Sequence, residues 1–66
     1  MDSVKLNLGA IRANMNLSRS EMASLLGMTT DRYTRLENGE SRMFATELYR
    51  LHEVSKVPYE NIALPG

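Results

Sequence analysis

The chain has 66 residues, eight Lys plus Arg against eight Asp plus Glu, and no Cys. That length fits one domain, residues 1–66, whose core supplies about 3–5 kcal/mol of net stability and leaves little room for a buried catalytic pocket. Lack of Cys excludes disulfides and thiolate metal sites and suits a reducing cytoplasm; no apolar run approaches the roughly 20 residues of a membrane span, and the stretch MDSVKLNLGAIR has no signal-peptide core.

Apolar spacing predicts helices almost throughout. Leu8, Ile11 and Met15 share one face of a first helix expected from about Val4 to Met15, with Asn14 and Asn16 breaking it. Ser18 and Glu21 have capping-box spacing at the start of a second helix. Met22, Ala23, Leu25 and Leu26 are its expected buried side, and Gly27 ends it in the left-handed region that glycine enters cheaply. Thr29 is the expected N-cap of a third helix, with Tyr33 and Leu36 inward and Asn38-Gly39 as its stop. After a loop from Glu40 to Met43, a fourth helix begins at Phe44 or Ala45 and turns Leu48, Leu51 and Val54 or Ser55 inward. Pro58 suits the first turn of a short fifth helix reaching about Ala63, with Tyr59 and Ile62 at i, i+3, and Pro65-Gly66 closes the chain. Val, Ile and Thr are few and do not alternate, so no strand is expected. The expected fold is all-α, a compact five-helix arrangement.

The second and third helices are separated by only a few residues around Gly27, a connection that sets them at a steep angle as a helix-turn-helix over about residues 18–38. Such a crossing needs a small residue at the contact, a left-handed residue four positions later and an apolar plug six positions further on. Ala23, Gly27 and Tyr33 stand at those places, and Met22, Leu26, Met28 and Leu36 complete the apolar set.

The run Asn16-Leu-Ser-Arg-Ser-Glu-Met-Ala-Ser-Leu-Leu-Gly-Met-Thr resembles the start of the helix-turn-helix in Cro and phage-repressor-like (XRE) regulators, and Tyr33-Thr-Arg-Leu-Glu-Asn-Gly39 is similar to that family's close at the end of the third helix. The resemblance covers about Leu8 to Ile62. It implies a lambda-repressor-like DNA-binding domain, bacterial or phage-encoded and nucleoid-associated, that works as a dimer on double-stranded operator DNA. The third helix would enter the major groove by its N-terminal residues. Position by position, the resemblance makes Thr30, Asp31 and Arg35 base-facing, with Thr29 and Thr34 nearby. Arg35 can fork onto guanine O6 and N7, Asp31 can accept only from a cytosine amino group, and Thr30 can meet a thymine methyl. Ser18, Arg19, Asn38 and Arg42 are the phosphate candidates, and Arg12 and Glu37 the structural ion pair joining helix one to helix three. The chain departs from its relatives in carrying Arg19 where many have Gln, Asp31 where an amide or basic residue is usual, and Glu40 and Ser41 before a single Arg42.

The zero net charge is a cancellation. Residues 1–35 carry five basic and three acidic side chains, and residues 36–66 carry three basic and five acidic ones. The half holding the reading helices is therefore mildly basic and the rear half mildly acidic, which predicts weak autonomous DNA affinity with a shallow salt dependence. The alternative function is a modulator or antirepressor that binds a larger repressor through the same helix-turn-helix surface, in a heteromeric complex to which an acidic fourth helix contributes charge.

Met43, Phe44, Tyr49 and Tyr59 are candidate interface residues; Phe44 has a second reading as a cap on the core. Tyr33 is expected in the core with its hydroxyl reaching water. His52 has no Cys or second His to form a metal or acid–base site with, and no nucleophile–base pair, paired-carboxylate site or phosphate-cradling Gly loop is visible. No enzymatic activity, metal, cofactor or small-molecule ligand is expected.

Overall fold

Each helix begins and ends where local chemistry can satisfy its free backbone groups. The computed structural model describes residues 5–64. It contains α1 (Leu8–Asn14), α2 (Arg19–Leu26), α3 (Thr30–Glu37) and α4 (Ala45–Ser55), followed by a single 3-10 turn, Tyr59–Asn61. Asn7 caps α1 by accepting the Ala10 amide at 2.8 Å. At α2 the capping box forms in both directions: the Ser18 hydroxyl accepts the Glu21 amide at 3.1 Å, and the Glu21 carboxylate accepts the Ser18 amide at 2.8 Å. Gly27 then ends α2 at φ 73°, Thr29 caps α3, and Gly39 follows α3 at φ 77°. The N-terminus of α4 has only half a box, since Phe44 has no acceptor; its amide donates to Glu47 Oε1 at 2.7 Å.

The fold is all-helical, as expected, with differences at both ends. Residues Lys5 to Asn7 are not helical: Leu6 is extended and pairs with the opposite end of the chain, its amide donating to the Asn61 carbonyl at 2.8 Å and its carbonyl accepting the Ala63 amide at 2.9 Å. These bonds form an isolated parallel bridge between Leu6 and Ile62. The bridge explains why the first helix starts at Leu8, since a helical Leu6 could not offer both groups outward. The expected helix start at Val4, and Pro65-Gly66, lie outside the described residues. The bridge also corrects the expected fifth helix. Pro58 is extended at ψ 148° and Ile62 at ψ 121°, so only one turn fits between them.

The core lies among all these elements. Leu8 and Ile11 from α1, Met22, Ala23 and Leu26 from α2, Tyr33 and Leu36 from α3, Leu51 from α4 and Ile62 from the C-terminal segment are all buried. Met15, Met28, Leu48 and Val54 pack partly buried against it. Leu25, expected inward, is 44% exposed. The stripe of α2 that faces α3 and α4 holds positions 22, 23 and 26, and residue 25 turns away from it. Truncating Leu51 to Ala removes about 2–5 kcal/mol, as much as the whole domain holds.

Candidate nucleic-acid interface

Tyr33 and Leu36 anchor α3 against α1 and α2, and this orients the rest of the helix. At 100° per residue, Thr30, Asp31, Thr34, Arg35 and Asn38 fall on the opposite face. All are exposed except Thr34, which is half-buried. The structure thus brings the expected reading residues onto one surface, with Thr29 at its start. Two of their hydroxyls are already engaged. Thr29 Oγ1 accepts the Arg32 amide at 3.2 Å, and Thr34 Oγ1 donates to the Thr30 carbonyl at 2.9 Å, leaving the Thr34 methyl as its free group. Arg35 Nη2 lies 3.1 Å from Asp31 Oδ2, one turn earlier.

The phosphate candidates flank this face. Ser18 is exposed, and its hydroxyl accepts a hydrogen bond while its own proton stays available. Arg19, the first residue of α2, does not stand alone: its Nε donates to Glu37 Oε1 at 3.0 Å. Asn38 is exposed at the C-cap of α3, and Arg42 is exposed with no ion-pair partner among the described residues.

Glu37 is the point where these parts meet. Arg12 Nε donates to its Oε2 at 2.7 Å, as expected from sequence, and Arg12 Nη1 also reaches the Leu17 carbonyl at 3.0 Å. The Tyr33 hydroxyl donates to the same Oε2 at 2.6 Å. This corrects the expectation that the hydroxyl reaches water: Tyr33 is fully buried, and a phenol so placed needs an internal acceptor. Burial pushes the Glu37 carboxyl up, but the hydrogen bonds from Arg12, Tyr33 and Arg19 outweigh it and hold the group below the usual carboxylate range. Burial and the Glu37 charge push the Tyr33 phenol well above its ordinary value. One carboxylate therefore binds α1, the start of α2 and the end of α3 together.

A second link escaped sequence reasoning. Arg32 donates from Nε and Nη2 to the two oxygens of Glu47, at 2.7 and 2.9 Å, and from Nη2 to the Arg42 carbonyl at 3.0 Å. Its guanidinium also lies 4.5 Å from the centroid of the Phe44 ring. Hydrogen bonding to Arg32 lowers the Glu47 carboxyl, more than burial raises it. Arg32 thus fixes the Arg42 loop and the start of α4 against α3. The spacing of Phe44 and Glu47 signals Glu47's backbone role; the Arg32 partnership has no signal in sequence.

The candidate interface residues separate. Phe44 and Tyr49 are 63% and 56% exposed, Met43 packs partly buried on the core, and Tyr59 stacks on His52 with ring centroids 4.1 Å apart. His52 Nδ1 meets the Val57 carbonyl at 2.8 Å, a structural bond across the end of α4. Among the described residues no cluster of His, Asp and Glu could hold a metal ion, and no helix is long and apolar enough to cross a membrane.

The chain matches the helix-turn-helix family over residues 8–59, most of its length, and belongs to it. The matched region runs from the first residue of α1 to the 3-10 turn, so it contains both Glu37 and the outward face of α3. No curated protein and no solved structure matches the chain. The family, of the XRE type, comprises DNA-binding regulator domains that are generally not enzymes.

Proposed function

We propose that this XRE-like helix-turn-helix protein reads a specific operator in double-stranded DNA with the outward face of α3. The observation that carries the reading is the arrangement around Glu37. The phosphate-side residue Arg19 is bonded to the Glu37 carboxylate, a half-buried residue at the end of the reading helix, so backbone contact and base contact are held in fixed register. In this reading Thr30, Asp31 and Arg35 face the bases with Thr29 and Thr34 beside them, and Ser18, Arg19, Asn38 and Arg42 meet phosphates. Arg12 is a structural partner of Glu37 and touches no ligand. The protein works in the cytoplasm of a bacterium, encoded by the host or a phage, as a homodimer whose two α3 helices lie about 34 Å apart, one DNA turn. It needs no cofactor.

A second reading is favoured by the exposure of Phe44 and Tyr49 on and beside α4. Exposed aromatics next to an acidic half suit a basic protein surface, as a modulator paired with a larger repressor needs. Footprinting on the DNA flanking the gene, with a light-scattering titration against the product of the neighbouring gene as the candidate repressor, separates the two. A discrete footprint by this protein alone, lost in Arg35→Ala, supports operator reading. A stable complex with the repressor that forms without DNA, and no footprint alone, overturns it in favour of the modulator.

A further inference from the structure

The outward face of α3 carries one carboxylate among the groups offered to DNA. Asp31 has a side chain 78% exposed, and on a surface that approaches phosphate such a charge opposes binding to any sequence. Its geometry gives it a use. Asp31 Oδ2 engages one donor, at Nη2 of Arg35, and a guanidinium has five N–H donors in a rigid plane. The remaining donors include pairs able to meet guanine O6 and N7 together, which requires the plane to be held at a set angle to the base edge. Among the described residues Arg35 has no other anchor; it is 59% exposed and its long side chain is otherwise free to rotate. The other arginine of α3, Arg32, is committed to Glu47 and Phe44 and does not compete for Asp31. In water an exposed pair of this kind is weak. Once a duplex covers it and water leaves, the same pair strengthens.

We propose that Asp31 is a positioning residue that holds the Arg35 guanidinium for guanine and so sets specificity, without itself contacting a base. The inference rests on the reading of α3 as the DNA-reading helix. It gives Asp31 two effects of opposite sign: the carboxylate lowers affinity for DNA in general and raises the preference for one base. A carboxylate that merely stabilises the first turn of α3 through the helix dipole shares the first effect, since its charge repels phosphate all the same, but raises no base preference.

Selection from a pool of duplexes with a randomised core, using the full chain, tests it. The wild type is expected to enrich guanine at a defined position. Asp31→Ala and Asp31→Asn are expected to lose about tenfold of the guanine-over-adenine preference there, while their affinity for a mixed-sequence duplex rises. Asp31→Glu, which reaches the same partner at i+4, is expected to recover part of the preference. Thermal melts by circular dichroism check that each variant is folded. A guanine preference kept within about twofold in Asp31→Ala, or an equal loss of affinity on every sequence, overturns the proposal. If Arg35→Ala loses selectivity while Asp31→Ala keeps it, operator reading stands and only the positioning role falls. If the wild type enriches no sequence, both fall.

Discussion

Arg12 and Glu37, 25 positions apart, meet at 2.7 Å between Nε and Oε2, with the Glu37 side chain only 7% exposed. The bond joins the first helix to the last residue of α3. Because Tyr33 and Arg19 share the carboxylate, its strength is a property of a network rather than of one pair.

Replacing Glu37 by Ala leaves the buried Tyr33 hydroxyl only the long contact to the Leu8 carbonyl at 3.5 Å, and leaves two arginines without their shared anion. The expected loss is about 3 kcal/mol, which is most of the stability of about 3–5 kcal/mol that a domain of this size holds. Urea unfolding followed by circular dichroism measures it, and a midpoint equal to that of the wild type would exclude the network as a stabilising element.

The same carboxylate predicts the acid response. The folded-state values of Glu37 and Glu47 are both lowered from an ordinary value of 4.5. Each group therefore contributes stability that is fully present above that ordinary value and is lost as pH falls through the depressed folded value. Stability is expected to be flat from neutral pH to about pH 5 and to fall below it. Glu37→Gln should flatten the acid limb in urea titrations at a series of pH values, and an unchanged limb would assign acid sensitivity elsewhere.

Tyr33→Phe keeps the ring in the core and removes one donor from Glu37. The expected cost is about 1–3 kcal/mol, measured as a drop in the urea midpoint. The phenol's raised folded value works in the opposite direction to the carboxylates: its contribution is fully present below the ordinary value of 10.0 and is lost as pH rises past it. Alkaline destabilisation should begin above that point in the wild type and be weaker in Tyr33→Phe.

Gly27→Ala tests the turn. Gly27 has φ 73°, and an added Cβ would lie 2.9 Å from Arg50 Nη1, the mobile end of a long side chain. Arg50 can move aside, so the backbone conformation sets the cost, about 1–2 kcal/mol. Thermal unfolding should show a modest loss with the fold retained. A collapse of the helical signal would mean that Arg50 cannot yield.

Salt dependence reports the number of phosphates neutralised. With about four for the proposed dimer, log K is expected to fall with log salt at a slope of about −3 to −4, and Arg19→Ala should reduce the slope by about one per protomer. A slope near −8 with nanomolar binding at physiological salt would be incompatible with the weak affinity expected from the chain's zero net charge.

What the sequence determined by itself is local. The caps at Ser18, Glu21 and Thr29, the left-handed Gly27 and the buried Tyr33 follow from interactions within a few residues, and each stands where spacing predicts it. The Arg12–Glu37 pair was also legible, through the resemblance of its surrounding motif to a known family. Tertiary structure alone decided the rest. Arg19 is drawn to Glu37, Arg32 to Glu47 and Phe44, and Leu6 to Ile62 because the helix crossings carry distant segments to within hydrogen-bond reach. Helical periodicity has no term for such distances, and for that reason it starts the first helix before Leu8 and places a fifth helix where one 3-10 turn leads into the bridge. The zero net charge gains its meaning the same way. Of the eight basic side chains, Arg12, Arg19, Arg32 and Arg35 each hold a carboxylate of the same molecule, so the cations offered to phosphate are set by the fold rather than by the count.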